Sequence, residues 1–176
     1  MSLKNATVVV LGGSSGIGLA TAKAARTEGA RLIIAGRSEQ RLLKARAELG
    51  DAARTVVLDV ADESGTRSFF QGLDHLDHLF ITAGALVRDS RLAPDTATLQ
   101  PAMHTRFWGA LYAAKYGAQR MNGSGSITFM SGTAATRPPG RAVCCFGLLR
   151  SSRSLCPRPG GRSRSDPGEY DSAGFC

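Results

Sequence analysis

Residues 7–18 read Thr-Val-Val-Val-Leu-Gly-Gly-Ser-Ser-Gly-Ile-Gly, and this stretch decides the fold. The apolar, largely β-branched run Ala6–Leu11 is typical of a strand that is buried on both faces of a parallel sheet. Glycines follow it, and Gly16–Glu28 then has helical periodicity until Gly29 stops the pattern. The stretch therefore predicts a first strand, a glycine-rich turn and a first helix.

Strand and helix patterns continue to alternate as far as residue 130. Further strands are predicted at Arg31–Ala35, Thr55–Leu58, Leu79–Thr82 and Ser126–Met130, and further helices at Ser38–Leu49, Asp62–Gly72 and Gln100–Met121. Ser38 is suited to cap the second helix, and Asp62 or Glu63 to lie at the positive end of the third. The alternation predicts a Rossmann-like, doubly wound α/β fold, incomplete at about five parallel strands in the order 3-2-1-4-5.

The spacing of the glycines predicts a phosphate-binding turn. Gly12 permits a tight turn out of the strand, Gly16 lets the backbone approach a pyrophosphate, and Gly18 lets the helix pack closely. The amino end of the helix adds free N–H donors and a partial positive charge. A glycine-rich turn without a ligand is the alternative. The position of the turn, after a strand and before a helix, favours a dinucleotide.

Composition fits one globular domain and gives little support to a nucleic-acid-binding protein. The chain has 176 residues, 43% of them hydrophobic, and a net charge of +8. Basic residues are mixed with acidic ones through the first 140 positions, which favours a solvated surface over a groove for phosphates. A tail that binds polyanions is the other interpretation of the charge.

The amino end carries no pattern of a secreted or membrane protein. Its apolar run lacks the length and the cleavage pattern of a signal peptide. No run approaches the roughly 18 apolar residues that a membrane span requires. A cytoplasmic location and no membrane partner are therefore expected.

Two sets of residues contain metal-ligating side chains, and neither has the pattern of a metal site. The cysteines are Cys144, Cys145, Cys156 and Cys176. They show no CxxC spacing and have no histidine nearby, so free thiols are expected. Asp74–His78 reads Asp-His-Leu-Asp-His, but it leads into a predicted strand, whose alternation would separate the histidines. No metal is predicted.

The alternation stops at Pro138, and the chain divides into residues 1–140 and 141–176. The first part is the predicted NAD(P)-binding domain. The second is rich in Arg, Ser, Pro, Gly and Cys, has no apolar period, and is predicted to be irregular. Such a composition arises when a GC-rich coding sequence is translated out of frame. A genuine regulatory tail is the alternative.

Four motifs in order resemble those of the short-chain dehydrogenase/reductases, over residues 5 to about 140. They are the glycine motif Gly12–Gly18, the adenine-side pair Asp59-Val60, the strand end Ala83-Gly84, and the fifth strand Gly125–Ser131. The resemblance implies an NAD(P)-dependent oxidoreductase that transfers a hydride between the nicotinamide and a carbonyl or alcohol. It assigns Ser131 as the catalytic residue that polarises the substrate oxygen. A small-molecule substrate is implied, and a homo-oligomer is possible.

Cofactor choice is predicted from Gly36-Arg37 at the end of the second strand. An acid there would bind the ribose 2′-hydroxyl and repel a 2′-phosphate. This chain has an arginine instead, which favours NADP(H) over NAD(H). An arginine in solvent at a helix entry is the alternative. The predicted cofactor-binding residues are Gly12, Ser14, Ser15, Gly16, Ile17, Gly18, Arg37, Asp59, Val60, Ala83 and Gly84.

The chain departs from the family pattern at several positions. Leu11 replaces a threonine, Ile81-Thr82 replace two asparagines, and Arg106 stands where the family has an asparagine that holds a proton-relay water. A guanidinium accepts no hydrogen bond, but it is suited to contact an anionic substrate or the cofactor. A surface position on the long helix is the alternative for Arg106.

The largest departure is the missing Tyr-x-x-x-Lys motif, which in the family supplies the general acid and binds the nicotinamide ribose. Residues 141–150 contain neither tyrosine nor lysine. Tyr112 and Lys115 have the wrong spacing and precede the serine, so packing and surface roles are expected for them. The sequence thus leaves open a second hypothesis, a truncated or frame-shifted relative that is catalytically impaired and at most binds a dinucleotide. A homo-oligomer is then doubtful.

Overall fold

The computed structural model describes residues 3–84 and 96–131, which form a parallel sheet with helices on both faces. The strands are β1 (Thr7–Leu11), β2 (Arg31–Gly36), β3 (Arg54–Val57), β4 (Leu76–Ile81) and β5 (Met121–Phe129). The helices are α1 (Gly16–Thr27), α2 (Glu39–Leu49), α3 (Glu63–Gln71), α4 (Thr96–Met103) and α5 (Gly109–Ala118), and a π-helical turn, His104–Trp108, joins the last two. The second predicted segment, 141–176, lies outside the described residues.

The strand order is β3-β2-β1-β4-β5 and all pairings are parallel, which confirms the predicted sheet. The first strand lies in the middle, with Val9 beside Ile33 on one side and Leu79 on the other. Right-handed crossovers in opposite directions from β1 place α1 and α2 on one face of the sheet and α3 and α5 on the other. The carboxyl ends of β2, β1 and β4 therefore lie side by side at one edge of the sheet. The strand order changes direction at β1, and in such folds ligands bind in the crevice at this point.

The alternation of side chains along β1 divides the core between the two faces. Val8 and Val10 pack with residues of α1 and α2, whereas Val9 and Leu11 pack with residues of α3 and α5. Residues 8–11 are all nearly inaccessible to solvent, because helices cover both faces. This explains why the run is continuously apolar rather than alternating.

The predicted helix ends are largely confirmed. The Ser38 hydroxyl accepts a hydrogen bond from the Arg41 backbone N–H at 3.4 Å, and Asp62 caps α3 by accepting from the Ser64 N–H at 3.0 Å. Gly50 follows α2 with a φ of 87°, a left-handed conformation that favours glycine. These signals are local, so the sequence alone was sufficient to place them.

The predictions for β4, β5 and the long helix were wrong at their ends. The strand β4 begins at Leu76, three residues before the predicted start at Leu79. The long helix ends at Ala118 rather than at the predicted Met121. Met121 instead begins β5, where it pairs with Leu76 before a register shift. A side chain at Gly125 would have its Cβ 2.8 Å from the Asp77 carbonyl oxygen, so this irregular pairing requires glycine.

A polar link joins α3 to α5 on the second face. The Tyr116 hydroxyl donates to Glu63 Oε1 at 2.5 Å, and the exposed Lys115 ammonium lies 3.3 Å from the same oxygen. The hydrogen bond from Tyr116 lowers the pKa of Glu63, with a smaller contribution from Lys115. Tyr112 stacks on Trp108, with ring centroids 6.1 Å apart. Tyr112 and Lys115 thus have the packing and surface positions that were expected.

No helix in the described part of the chain is long and apolar enough to cross a membrane.

We predict that Tyr116→Phe makes the stability of the protein less sensitive to acid. The pKa of Glu63 is lower in the folded state, so the unfolded state binds more protons as the pH falls. This stabilisation is fully present above the unfolded pKa of glutamate, about 4.3, and is lost as the pH falls through the lower folded pKa. Urea unfolding measured across this pH range should show a shallower pH dependence in the variant. Tyr112→Phe is the matched control, and an equal change in both variants would contradict the prediction.

Candidate active site

The carboxyl edge of the sheet contains a cleft of about 630 Å³. Most of the predicted cofactor-binding residues line it, namely Gly12, Ser14, Ser15, Ile17, Gly18, Arg37, Asp59, Val60, Ala83 and Gly84. Further lining residues are Ala35, Gly36, Ser38, Arg41, Leu58, Thr82, Thr105, Arg106 and Met130. The strand order brings these separate segments together, because β2, β1 and β4 are neighbours that all end at this edge.

The turn after β1 is held against the end of β4. Gly12 has a φ of 89°, and a Cβ on it would lie 2.5 Å from Thr82 Oγ1 and 2.8 Å from the Ala83 nitrogen. The Thr82 hydroxyl donates to the Leu11 carbonyl at 3.1 Å, and the Thr82 and Ala83 N–H groups donate to the same oxygen. Thr82 stands where the family has an asparagine, and it fastens the glycine turn through a hydroxyl.

The amino end of α1 comes unusually close to the same turn. A Cβ on Gly18 would lie 2.2 Å from the Gly12 carbonyl oxygen, a distance that no side chain can occupy. Gly16 has the opposite environment: its φ is 54°, and a Cβ there would meet nothing within 4 Å. One glycine therefore permits close packing, and the other leaves open space above the helix end.

The first turn of α1 offers donors to a ligand. Ser15 is the N-cap residue, but its side chain makes no capping hydrogen bond. The first N–H groups of a helix have no partner within the helix, so the end of α1 is suited to bind an anion. The apolar side chain of Ile17 is 60% exposed at the lip of the cleft. An open anion site beside apolar surface has the chemistry that a pyrophosphate with attached nucleosides requires.

A pair of arginines lines the cleft beside the end of β2. Arg37 follows Gly36 directly, and Arg41 lies in the first turn of α2, close to the Ser38 cap. Both side chains are exposed to solvent. The sequence prediction included Arg37 but missed Arg41. Its position four residues after Arg37, at a predicted helix start, was a signal in the sequence, but only the direction in which α2 leaves the sheet places Arg41 in the cleft.

The pair Asp59-Val60 follows β3 and forms another wall. The exposed Asp59 carboxylate accepts a hydrogen bond from the Ala61 N–H at 3.0 Å, which fixes the local turn. Val60 is 6% exposed, and a Cβ on Gly109 would lie 2.7 Å from its Cγ2 atom. The beginning of α5 therefore packs directly on this wall.

The Arg106 side chain lies in the wall of the cleft, beside Gly84 just after β4, and not on the outer surface of the long helix. Gly84 has a φ of 155°, and a Cβ on it would be 2.5 Å from Arg106 Cγ and 3.2 Å from Nε. Burial lowers the pKa of the Arg106 guanidinium, although arginine remains charged in proteins. The residue belongs to the π-helical turn, a distortion that often marks functional positions in helices.

Ser131, the predicted catalytic residue, is not among the residues that line the cleft, although its neighbour Met130 is. Its Oγ atom is buried and has no hydrogen-bond partner in the described part of the chain. Burying a hydroxyl without a hydrogen-bond partner costs free energy, so most buried hydroxyls have one. The Ser131 hydroxyl is therefore an exception that leaves a donor available. The segment 141–150, which lacks the Tyr-x-x-x-Lys motif, lies outside the described residues.

The histidines of Asp74–His78 have separate partners. His75 Nε2 lies 2.6 Å from Asp77 Oδ1, whose other oxygen accepts from the Thr7 N–H at 2.7 Å. His78 Nδ1 lies 2.9 Å from the Ser126 hydroxyl. Within residues 3–84 and 96–131, no three His, Cys, Asp or Glu side chains are grouped as metal ligands.

Comparison with known proteins agrees with this geometry. A sequence model of the family described as short chain dehydrogenase matches residues 6–144. An uncharacterized oxidoreductase of Staphylococcus epidermidis is 36% identical over 84 residues, covering 47% of this chain and 36% of the relative. The galactitol 2-dehydrogenase (L-tagatose-forming) of Cereibacter sphaeroides is 32% identical over 145 residues, covering 77% of this chain and 57% of the relative.

A solved structure described as a putative betaketoacyl-ACP reductase is 33% identical, with a TM-score of 0.76. The match covers 84% of this chain and 62% of that one. The chain thus spans less than two thirds of the length of each of these three proteins. Because the family match extends over most of its residues, the chain belongs to the short-chain dehydrogenase family.

Proposed function

We propose that this chain is an oxidoreductase that binds NADP(H) in the cleft and acts on a small carbonyl or alcohol substrate. The observation that supports this most is that the amino end of α1, through Ser15 and Ile17, lines the same cleft as two arginines, Arg37 and Arg41. Gly16, between Ser15 and Ile17, leaves open space at the helix end. Membership of the family implies an NAD(P) dinucleotide, and the choice of the phosphorylated form is the proposal. A cytoplasmic location is proposed with it.

Each end of the cleft has a role in this proposal. The N–H groups at the start of α1 hold the pyrophosphate, and Arg37 and Arg41 hold the ribose 2′-phosphate. Asp59 and Val60 lie on the adenine side, as in the family pattern. When bound, the reduced dinucleotide supplies a hydride. The Ser131 hydroxyl, which is buried without a hydrogen-bond partner among the described residues, would then donate a hydrogen bond to the substrate oxygen.

The proposed reaction also needs an acid that protonates the substrate oxygen, and the family's usual acid is missing from its usual position. A positioned general acid typically contributes about 10²–10⁴-fold to such a reaction. Residues 141–150 hold neither the tyrosine nor the lysine that the family uses, and Arg106 replaces the relay asparagine. An unperturbed serine hydroxyl is a poor acid near neutral pH. We therefore expect this chain to bind the cofactor and to turn over substrate slowly.

The first prediction from this proposal concerns cofactor preference. The double variant Arg37→Ala/Arg41→Ala should weaken NADPH binding about 10- to 100-fold, because two charge-assisted contacts with a phosphate are lost. NADH binding should change less than about threefold, since NADH carries no 2′-phosphate. Fluorescence titration of both cofactors measures this. Arg46→Ala is the control, because Arg46 lies on the same helix and does not line the cleft. An equal loss for both cofactors would contradict the proposal.

The second prediction concerns turnover. Oxidation of NADPH with a panel of carbonyl substrates should be slower than in family members with the complete motif, by about 10²–10⁴-fold. Ser131→Ala should abolish whatever turnover remains and leave NADPH binding unchanged. The assay follows NADPH absorbance with purified full-length chain. Turnover at ordinary dehydrogenase rates would show that an unrecognised acid is present. NADPH binding without any turnover would favour a relative that only binds a dinucleotide.

A further inference from the structure

The strand β5 departs from regular pairing close to its amino end. Leu76 pairs with Met121 and His78 pairs with Ser126, so β4 has one residue between these pairs and β5 has four. Residues 122–125 therefore form a large bulge, and their sequence is Asn-Gly-Ser-Gly. The bulge lies at the edge of the sheet where the parallel strands begin, which is the edge opposite the cleft.

The backbone beside Asn122 is open to solvent. Asn122, Gly123 and Ser124 are all exposed, and a Cβ atom on Gly123 would meet nothing within 4 Å. The bulge becomes tightly packed only at its end, since a Cβ atom on Gly125 would lie 2.8 Å from the Asp77 carbonyl oxygen. The first half of the bulge therefore has room to change its backbone conformation.

An asparagine followed by a glycine has a specific chemical reactivity. The backbone nitrogen of the second residue attacks the side-chain carbonyl carbon of the first, and the five-membered ring that forms expels ammonia. A side chain on the second residue hinders this approach, and glycine has none. The two residues must also leave extended strand geometry, which a hydrogen-bonded ladder resists and an exposed bulge permits.

We propose that Asn122 is a site of spontaneous deamidation in the folded protein. The Gly123 nitrogen forms a bond to Asn122 Cγ, the bond from Cγ to Nδ2 breaks, and Nδ2 leaves as ammonia with the proton from the Gly123 nitrogen. Water then opens the cyclic imide at either carbonyl and gives aspartate or isoaspartate. Each conversion adds one negative charge at the amino edge of the sheet. The inference does not depend on the proposed function, because the cleft lies at the other edge.

Asn5 is the other asparagine of the chain, and it provides an internal control. It is also exposed, but Ala6 follows it, and the Ala6 N–H donates a hydrogen bond to the Leu3 carbonyl at 2.9 Å. The nitrogen that would attack the Asn5 side chain is thus held by a hydrogen bond and hindered by a methyl group. We expect Asn5 to persist while Asn122 converts.

Peptide mass spectrometry after incubation of the purified full chain at mildly alkaline pH tests this. Asn122 should convert at least about tenfold faster than Asn5, and fragmentation should identify isoaspartate at position 122. Gly123→Ala should slow the conversion of Asn122 at least about tenfold, because its methyl group hinders the attacking nitrogen. The new Cβ atom has free space and Gly123 does not have a positive φ, so this variant should keep the fold.

A comparison with the chain unfolded in guanidinium chloride separates the effect of the fold from that of the sequence. The native chain should convert at no less than about one tenth of the unfolded rate, because the exposed bulge needs little local opening. A slower native rate would overturn the proposal, since it would show that the sheet protects Asn122. A smaller difference between Asn122 and Asn5, or an unchanged rate in Gly123→Ala, would also overturn it. The comparisons in wild-type protein need no variant, so a folding defect in Gly123→Ala leaves the test intact.

Discussion

The structure depends on the close approach of three backbone segments at the carboxyl end of β1. A Cβ atom on Gly18, at the start of α1, would collide with the Gly12 carbonyl, and a Cβ atom on Gly12 would collide with Thr82. The Thr82 hydroxyl then bonds the Leu11 carbonyl and closes the junction. Because the helix end, the turn and the end of β4 are held this closely, the free N–H groups of α1 open directly into the cleft.

The charge distribution follows from this junction. The helix end supplies partial positive charge in the middle of the cleft, Arg37 and Arg41 supply full charges on the β2 side, and Arg106 supplies one on the β4 side. Only Asp59 opposes them among the lining residues that the structure describes. A ligand that follows the edge of the sheet would meet positive groups at three places. This pattern supports the proposal that a phosphorylated dinucleotide binds along the cleft.

Much of the fold was predictable because its signals are local. The continuous apolar β1, the glycines of the turn and the caps at Ser38 and Asp62 each depend on a few neighbouring residues. The starts of β4 and β5 were missed because they depend on the pairing of Leu76 with Met121, which are far apart in sequence. The register shift that follows has no side-chain period to reveal it.

The site was predicted where a motif marks it and missed where only the fold assembles it. The glycine turn and Arg37 could be identified from residues 7–18 and from the end of β2. Arg41 was missed because its role depends on the direction in which α2 leaves the sheet. The family pattern drew attention to Arg106, but only the π-helical turn and the contact with Gly84 place it in the cleft wall.

A matched pair of variants at Gly16 tests whether the end of α1 is an anion site. Asn and Asp both tolerate its φ of 54°, they are nearly isosteric, and nothing lies within 4 Å of the new Cβ. Titration with NADP⁺ should show weaker binding for Gly16→Asn than for wild-type protein. Gly16→Asp should bind at least about tenfold more weakly again, because its carboxylate repels the pyrophosphate. Wild-type affinity in both variants would show that the end of α1 does not bind the pyrophosphate.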